Sequence, residues 1–336
     1  MVGLDIAKAV CQAHGEDGAG RVVLQRRLGR AAVEKFFAAL PPARIAMEAC
    51  GSAHHWARVL RGMGHEVRLI PAAHVKPFVR RNKTDARDAA AICAAMRHPD
   101  LRTVPVKSVE QGCARGLERA RDLLVRQRTQ LANAMRGLLA EVGVIAPQGQ
   151  RGLAQLAALI DAADAAIPSV LLAGVQALLA QWRSAAEAIT ALEKQLLERA
   201  RADATMRRLM AIPGIGALSA PAIVAAISDG RQVRSARDFA AWVGLTPREH
   251  QSANKRRAGG ISRQGDGGLR RPLVLGASAV MRQVKSRPER ASAWQSGILA
   301  RRPAKVAVVA QAAQNARVAW AMLTRGTTYR TGSATA

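Results

Sequence analysis

Hydrophobic and polar positions in the first 106 residues follow two alternating periods. Strands are predicted where short apolar or alternating runs occur, at residues 2–6, 21–28, 43–49, 66–70 and 102–106. Helices are predicted where apolar positions recur at helical spacing, at residues 31–40, 54–64 and 84–97. Strands that alternate with helices predict an α/β domain over residues 1–106.

The pattern then changes to long helices. Residues 109–143 are predicted to form one helix in which basic residues alternate with Leu and Val, and a second helix is predicted for residues 170–200. A turn-rich segment at residues 146–152 separates them, so we predict an antiparallel helical coiled-coil region over residues 107–205. This region is either a spacer with solvated charges or a contact between subunits of a homo-oligomer.

The last region, residues 206–336, is predicted to be mostly α-helical. It begins with two apolar helices within residues 209–229, joined by Pro-Gly-Ile-Gly, which is the pattern of a helix-hairpin-helix. Gly214 and Gly216 would let the turn approach a phosphate, and the next helix would offer its N-terminal N–H groups. A tight turn between two helices without any ligand gives the same pattern.

The charge of the chain indicates a polyanionic partner. The sequence has 51 Lys and Arg against 24 Asp and Glu, a formal net charge of +27, and from residue 231 to the end the numbers are 20 and 4. Nucleic acid is the expected partner, with its main contact in the last third of the chain. No run of 18 or more residues is apolar, so we expect no membrane segment and a cytoplasmic location.

Residues 242–280 are rich in glycine and basic residues and contain few apolar positions before a helix predicted near Leu269. Such a stretch buries little apolar surface, so we predict an exposed basic loop. It contains two candidate serine nucleophiles for a phosphodiester, Ser252 and Ser262. The candidate nucleic-acid contacts in this stretch are Lys255, Arg256, Arg257, Arg263 and Arg270.

Four acids occupy positions that suggest a metal site. Asp5 lies in the first predicted strand and Glu48 at the end of another, where a buried carboxylate is costly unless it is paired or binds a cation. Asp85 and Asp88 stand three residues apart, on one face of a helix, and Lys83 nearby is a further candidate for contact with nucleic acid. Carboxylates that converge can bind Mg²⁺ or Mn²⁺, and a pair of ions about 4 Å apart is a common device of phosphoryl transfer.

A simpler interpretation exists for the two helical acids. Thr84 can cap the helix, and Asp85 in the first turn then stabilises the helix dipole. Asp88 can equally pair with a nearby arginine at the surface.

Six motifs together resemble one family. The segments "VGLDIAK", "AMEACGSAHHWARVL", "PAAHVKPFVRRNKTDARDAAAI", "IPGIG", "WVGLTPREH" and "GGISRQGDGGLRR" are similar, in order and spacing, to DEDD-type transposases of insertion sequences, described as bridge-RNA-guided recombinases. The resemblance implies a RuvC-like N-terminal domain with an RNase H fold, a coiled-coil middle and a C-terminal transposase domain. It also implies that Asp5, Glu48, Asp85 and Asp88 bind divalent metal, and that a structured guide RNA assists in choosing the DNA.

The same resemblance implies a serine that forms a covalent phosphoserine link to DNA. Family members commonly carry two adjacent hydroxyl residues, whereas here Gln251 precedes Ser252. If the second hydroxyl is the nucleophile, Ser252 is in place; if the first is, this copy is inactive. Asn254 and Pro272 also depart from the expected pattern, and Ser262, whose position suits a helix cap, is the alternative nucleophile.

Two other functions remain open from the residues. In a metal-dependent nuclease or junction resolvase, the acids would activate water and the C-terminal region would only bind DNA. In a non-catalytic nucleic-acid-binding protein, the acids would be structural. Replacement of Ser252 and of Asp5 distinguishes these two from a serine recombinase.

Overall fold

The computed structural model describes residues 1–79, 84–99, 101, 103–227, 230, 233–252 and 255–329, and for 250–252 and 255–258 the description covers the main chain. The chain divides into two compact units, Met1–Cys113 and Ala114–Ala336. The elements of the first unit are β1 (Val2–Ile6), β2 (Val10–Glu16), β3 (Val22–Gly29), α1 (Val33–Ala38), β4 (Arg44–Glu48), α2 (Ala53–Gly62), β5 (Glu66–Ile70), α3 (Ala72–Val75) and α4 (Asp85–Met96).

A five-stranded mixed sheet organises the first unit, in the order β3-β2-β1-β4-β5. The strands β1, β2 and β3 pair antiparallel, whereas β4 pairs parallel with β1 and β5 pairs parallel with β4. One face packs its apolar side chains against α1 and α2, through Phe37, Trp56 and Leu60. The other face carries α4, whose Ala91 and Ile92 pack in one cluster with Ala46 and Ile70. The mixed α/β organisation predicted for this part of the chain is thus confirmed.

Two strand predictions in this unit were wrong. The strand β2 was not predicted, because "VCQAHGE" mixes polar and small residues and lacks a clear alternation. The run at residues 102–106 was predicted as a strand, yet among its described residues only Val104 forms an isolated bridge, to Leu69. Burial of β2 between β1 and β3 in the sheet decides its conformation, which local propensity does not reveal.

The second unit contains a long helical arm and a helical core. Its first helix, α5 (Val109–Ala140), starts in the first unit and is 32 residues long, about 48 Å at the usual helical rise. The other elements are α6 (Gln150–Asp161), α7 (Ser169–Ala202), α8 (Ala204–Met210), α9 (Ser219–Ile227), α10 (Ala236–Trp242), β6 (Pro247–Ser252), β7 (Lys255–Ile261), α11 (Gly267–Ser286), α12 (Ala293–Arg301) and α13 (Ala304–Arg325).

The helices α5 and α7 run antiparallel, as predicted. Arg121 near the start of α5 pairs with Glu193 near the end of α7 at 2.5 Å, while Met135 further along α5 packs in one cluster with Val175 near the start of α7. The helix α6 was not predicted, because the turn residues at 146–152 overlap its first turn and mask the helical spacing that follows. Leu156 of α6 is buried in the same cluster.

The helical core of the second unit depends on close backbone contact. The turn between α8 and α9 packs directly on α11: a Cβ at Gly276 would lie 1.8 Å from the carbonyl oxygen of Gly214. A row of buried amides supports this turn, in which Gln295 donates to Gln311, Gln311 donates to Asn315, and Asn315 donates to the carbonyl of Pro213 at 2.9 Å. Asn315, at 2% exposure, therefore fixes the turn from the side of α13.

Pro272 lies inside α11, where the sequence predicted a helix with an unfavourable proline. It has no N–H to donate to the carbonyl of Gly268, one turn earlier. Nevertheless the helix continues to Ser286, because Leu269, Leu273 and Ala277 are fully buried on one face and hold it in place. Within the described parts of the chain, none of the helices combines the length and apolar character needed to span a lipid bilayer.

Candidate functional site

The strand register places Asp5 and Glu48 side by side. Leu4 of β1 pairs with Met47 of β4 in a parallel ladder, so the next residues, Asp5 and Glu48, lie at the C-terminal ends of neighbouring strands, at the same edge of the sheet. Both are half-buried. Parallel strands that end together bring the residues at their carboxyl ends close to one another.

Both acids belong to the face of the sheet that α4 covers. A Cβ on Gly3 would lie 2.2 Å from the carbonyl oxygen of Ala89, so Gly3 faces α4, and Ala46, its partner in the ladder, packs with α4 side chains. Side chains alternate along a strand, so Asp5 and Glu48, two residues further on, belong to the same face.

The helix α4 carries the other two acids towards this edge. Its residue Cys93 lies near the start of β1, where the thiol is 3.9 Å from the carbonyl oxygen of Met1, and Ala89 lies over Gly3. The helix α4 and the strand β1 therefore run in opposite directions. The first turn of α4 thus approaches the C-terminal end of β1, where Asp5 lies. Asp88 in that turn is half-buried, and Asp85 is exposed.

The cap predicted at the start of α4 is present. The side chain of Thr84 accepts a hydrogen bond from the N–H of Arg87 at 3.3 Å, and Asp85 and Asp88 stand in the first turn. Acids there stabilise the helix dipole whether or not they also bind a metal. Lys83, the predicted neighbour of this turn, lies outside the described residues.

Four carboxylates at one edge suit a hard divalent cation. Asp5, Glu48, Asp85 and Asp88 offer only oxygen atoms, the ligands that Mg²⁺ and Mn²⁺ prefer. In the ranges that the structure describes, no three His, Cys, Asp or Glu side chains form a group that could hold a metal ion. The fold therefore brings together the segments that carry the acids, and their side chains are not gathered into such a group.

Gly3 makes this arrangement possible, and its replacement tests the arrangement. We expect Gly3→Ala to lower the free energy of unfolding by about 2 kcal/mol, because its Cβ meets the backbone of Ala89 and of Cys93, at 2.2 and 2.7 Å, and α4 must move off the sheet. The measurement is denaturant unfolding monitored by circular dichroism. Gly29→Ala is the control: Gly29 lies in the same sheet at φ −61°, with open space around the added carbon. Equal stability of the two variants would contradict the close contact.

Ser252 is the last residue of a β-hairpin strand. The strands β6 and β7 pair antiparallel, and the last pair of the ladder is Ser252 with Lys255. Residues 253 and 254, between them, lie outside the described residues, as do the side chains of Ser252, Lys255, Arg256 and Arg257. The exposed basic loop predicted here was wrong in its backbone: residues 247–252 and 255–261 pair as two antiparallel strands, and main-chain hydrogen bonds hold them in place of an apolar core.

Residues that follow the hairpin form hydrogen bonds that stabilise the second unit. Ser262, suggested as a helix cap, does not cap α11; Asp266 does, since its carboxylate accepts from the N–H groups of Gly268 and Leu269. Arg270 donates to the carbonyls of Val243 and Gln264, at 2.8 and 3.1 Å, and so ties the segment before the hairpin to the segment after it.

Arg263 is exposed and adopts φ +55°, an uncommon conformation for a residue other than glycine. Its own N–H donates to the carbonyl of Gly244 at 3.2 Å. The backbone at Arg263 is thus held in place, and its side chain is available to solvent and ligands.

The two candidate glycines of the turn before α9 have different surroundings. Gly214 has φ +87° and packs against Gly276, so its lack of a side chain serves the contact between the turn and α11. Gly216 is exposed, and a Cβ there would meet nothing within 4 Å. Its N–H donates to the hydroxyl of Ser219 at 2.9 Å, which closes the first turn of α9.

A buried ion cluster of the second unit was missed by the sequence analysis. Arg115 of α5, only 5% exposed, pairs with Glu118 and donates to the capping carboxylate of Asp266 at 2.5 Å. Burial raises the pKa of Glu118, although the nearby Arg115 opposes that shift. The signal Asp-Gly-Gly before a helix could have identified Asp266 as a cap, whereas nothing in the sequence distinguishes Arg115 from its basic neighbours.

Two family models match the chain. The model described as transposase of the IS116/IS110/IS902 family matches residues 206–294, and a transposase model of the DEDD type of IS110 elements matches residues 2–144. The four acids fall within the second match, and the hairpin with Ser252 falls within the first.

Full-length relatives agree with these matches. The chain is 48% identical to a "Probable family 20 transposase" of Pseudomonas aeruginosa, over 98% of both chains. It is 39% identical to the transposase for insertion sequence element IS1111A of Coxiella burnetii, over 99% of this chain and 92% of that one. It is 35% identical to the transposase for IS1328 of Yersinia enterocolitica, over 98% of both. The chain therefore belongs to the IS110/IS116 family of DEDD transposases and is an insertion-sequence enzyme that acts on DNA.

Proposed function

We propose that this transposase cuts and rejoins DNA through a covalent phosphoserine intermediate, with Ser252 as the nucleophile and a divalent metal bound by Asp5, Glu48, Asp85 and Asp88. The observation that carries the proposal is the placement of the acids: two lie at the C-terminal ends of neighbouring parallel strands, and two lie in the first turn of the helix that covers that face of the sheet. Carboxylate-bearing segments that meet at one edge of a sheet are typical of sites that bind a divalent metal and stabilise charge on a phosphodiester.

The topology of the first unit supports an RNase H-like domain of the RuvC type. Three antiparallel strands are followed by β4, which pairs parallel with β1, and by β5, which pairs parallel with β4, and helices cover both faces of the sheet. Domain boundaries at residues 106 and 205 follow from this proposal: a metal-binding domain, a coiled-coil region and a C-terminal transposase domain.

The metal, Mg²⁺ or Mn²⁺, would supply a positive charge that stabilises the attacking or leaving oxygen of the phosphodiester. Asp5 and Glu48 would hold it from the rigid edge of the sheet. Asp85 and Asp88 would approach from the first turn of α4, whose N-terminal dipole lowers the cost of placing two acids together.

Ser252 would attack the phosphorus through its hydroxyl oxygen. The new Ser–O–P bond replaces the bond from phosphorus to the leaving 3′ or 5′ oxygen of the DNA, which takes up a proton, and attack by a DNA hydroxyl reverses the exchange. The number of phosphodiester bonds is conserved, so rejoining needs no energy-rich cofactor. Lys255 is the cross-strand neighbour of Ser252 in the hairpin ladder, and with Arg256 and Arg257 it would bind the phosphate oxygens.

Other contacts would hold the nucleic acids. The helix pair α8 and α9, with Gly214 and Gly216 in its turn, supports a helix-hairpin-helix that binds DNA backbone. Lys83, Arg263 and Arg270 are proposed as further contacts. The net charge of +27 is large enough for both donor and target DNA and a structured guide RNA, and the arm of α5 and α7 would join subunits into a dimer or tetramer.

The test is a trapping experiment. The transposase is incubated with its donor DNA, the RNA transcribed from the flanks of the element, and Mg²⁺; a denaturing gel then separates DNA attached to protein, and mass spectrometry identifies the attached residue. We expect an adduct at Ser252 that forms only with metal. Cleavage without any adduct would identify a metal-dependent nuclease instead, and binding without cleavage would identify an inactive copy or a binding protein.

A further inference from the structure

A cavity in the second unit is unexplained by the chemistry proposed for Ser252 and the acids. It has a volume of about 320 Å³ and lies between α5, the turn that precedes α9, α9 itself and α11. Its volume is at the lower end of the range for ligand sites, roughly 300–1,000 Å³, so it has room for one small group.

The wall of the cavity is largely apolar. Leu218 and Ala222 line it from the side of α9, and Pro272 and Leu275 line it from α11. Leu275 is 63% exposed, which is unusual for a leucine at a cavity. A flat apolar ligand that entered the cavity would remove Leu275 from water.

Basic groups surround this apolar wall. Four arginines line the cavity, Arg115, Arg119, Arg121 and Arg271, against two acids, Glu118 and Asp122. Arg121 is occupied by Glu193 and Asp122, and Arg271 approaches Asp122 only at 3.9 Å. Arg119 is exposed and forms no ion pair with any described residue. Arg119 and Arg271 are therefore available to an anion.

Three further N–H groups belong to residues that line the same cavity. The carbonyl of Gly216 accepts from the N–H groups of Ser219 and Ala220 at the start of α9, and the N–H groups of Ala217 and Leu218, just before the helix, have no acceptor among the described residues. Arg115 is 95% buried, and its Nε likewise has no hydrogen-bond partner in the described parts of the chain. An apolar wall beside several unused N–H donors fits a ligand with an apolar plane and an anionic group.

We propose that this cavity receives one unpaired nucleotide of the bound nucleic acid. The base lies against Pro272 and Leu275, and its phosphate contacts Arg119, Arg271 and the N-terminus of α9. The inference rests on the proposed function only in taking nucleic acid to be held by this unit. A nucleotide that is already unpaired enters without the cost of leaving a duplex, so the cavity selects for a bulge, flap or junction.

Selection for an unpaired nucleotide is measured by fluorescence anisotropy with labelled duplexes that differ only by a single-nucleotide bulge. The duplexes are made both as DNA and as RNA, so that the source of the nucleotide is identified. We expect the wild type to bind the bulged form of at least one of them about tenfold more tightly than the fully paired form. Equal affinities in both nucleic acids would overturn the proposal.

Leu275→Glu tests the cavity itself. The exposed position tolerates glutamate, whose charge repels the phosphate and blocks the apolar wall, so we expect the preference for the bulge to disappear. Val306→Glu is the matched control, since Val306 is also exposed, on α13 and away from the cavity, and the change in net charge is the same. A preference that survives in Leu275→Glu would overturn the proposal.

Photocrosslinking locates the nucleotide independently. A 4-thiopyrimidine at the bulge is expected to crosslink within residues 214–222 or 268–276, and crosslinks only elsewhere would contradict the site. The adduct assay at Ser252 separates the two proposals. Bulge preference without an adduct would support the cavity and overturn the serine mechanism, whereas an adduct without bulge preference would do the opposite.

Discussion

Replacement of Asp5 by asparagine is expected to reduce DNA cleavage and rejoining by about a thousandfold, while binding of DNA is retained. Asparagine has nearly the same shape but lacks the negative charge, so the sheet remains intact and the metal is held less tightly. Asp5 lies at the C-terminal end of β1, beside Glu48 and on the face that α4 covers, and the metal would lose the ligand on its most rigid support.

Rates are measured with donor DNA and guide RNA at several Mg²⁺ concentrations, and metal affinity by calorimetry on the same preparations. The matched control is Asp17→Asn. Asp17 follows β2 at the opposite end of the same sheet, where Glu16 pairs with Met1, and it accepts hydrogen bonds from Ala19 and Arg21 in an exposed turn. We expect this control to retain full activity. Wild-type rates and metal affinity in Asp5→Asn would show that the acids are structural.

Ser252→Ala is expected to abolish the covalent adduct completely and to reduce strand transfer by about a thousandfold or more. Alanine removes the only atom that can form the ester bond to phosphorus, and a methyl group at the end of β6 leaves the main-chain pairing with Lys255 unchanged. DNA affinity should therefore stay within a factor of about two, since the basic residues of the hairpin remain.

Ser262→Ala is the control for Ser252→Ala. Ser262 follows the same hairpin, and among the described residues its hydroxyl accepts a single long hydrogen bond, 3.4 Å, from the N–H of Gln264, so its removal should affect neither folding nor the adduct. An adduct that persists in Ser252→Ala and disappears in Ser262→Ala would identify Ser262 as the nucleophile. Cleavage by both variants without an adduct would favour water as the nucleophile.

For the N-terminal acids, local sequence patterns predict the strands and the helix that carry them. The apolar run around Asp5, the strand that ends at Glu48 and the helix that opens with Asp85 were each predicted, because their side chains face a core with a regular period. The approach of these elements to one edge of the sheet leaves no mark in the sequence. It depends on β1 pairing parallel with β4 and on α4 running back across Gly3, and pairing over such distances along the chain leaves no local signal.

Fewer features of the second unit could be predicted from the sequence, because more of them depend on tertiary contacts. Its long helices and the turn at Gly214 follow from helical spacing and from glycine, whereas the sequence predicts a loop where the structure has the hairpin that carries Ser252. Few apolar residues mark that hairpin, so main-chain pairing rather than burial defines it. The cavity beside α9 combines Arg119, Leu218 and Leu275 from three separate segments.

The sequence by itself therefore determined the family, the net charge that attracts nucleic acid, the elements that carry the four acids, and most helices. These features depend on residue types and on the spacing of apolar residues within short segments. The tertiary structure alone decided which acids share an edge, that Gly214 and Gly276 are packing contacts, and that Arg115 is buried against Asp266. These features arise from contacts between distant segments, whose free energy depends on the whole fold and on no single stretch of the chain.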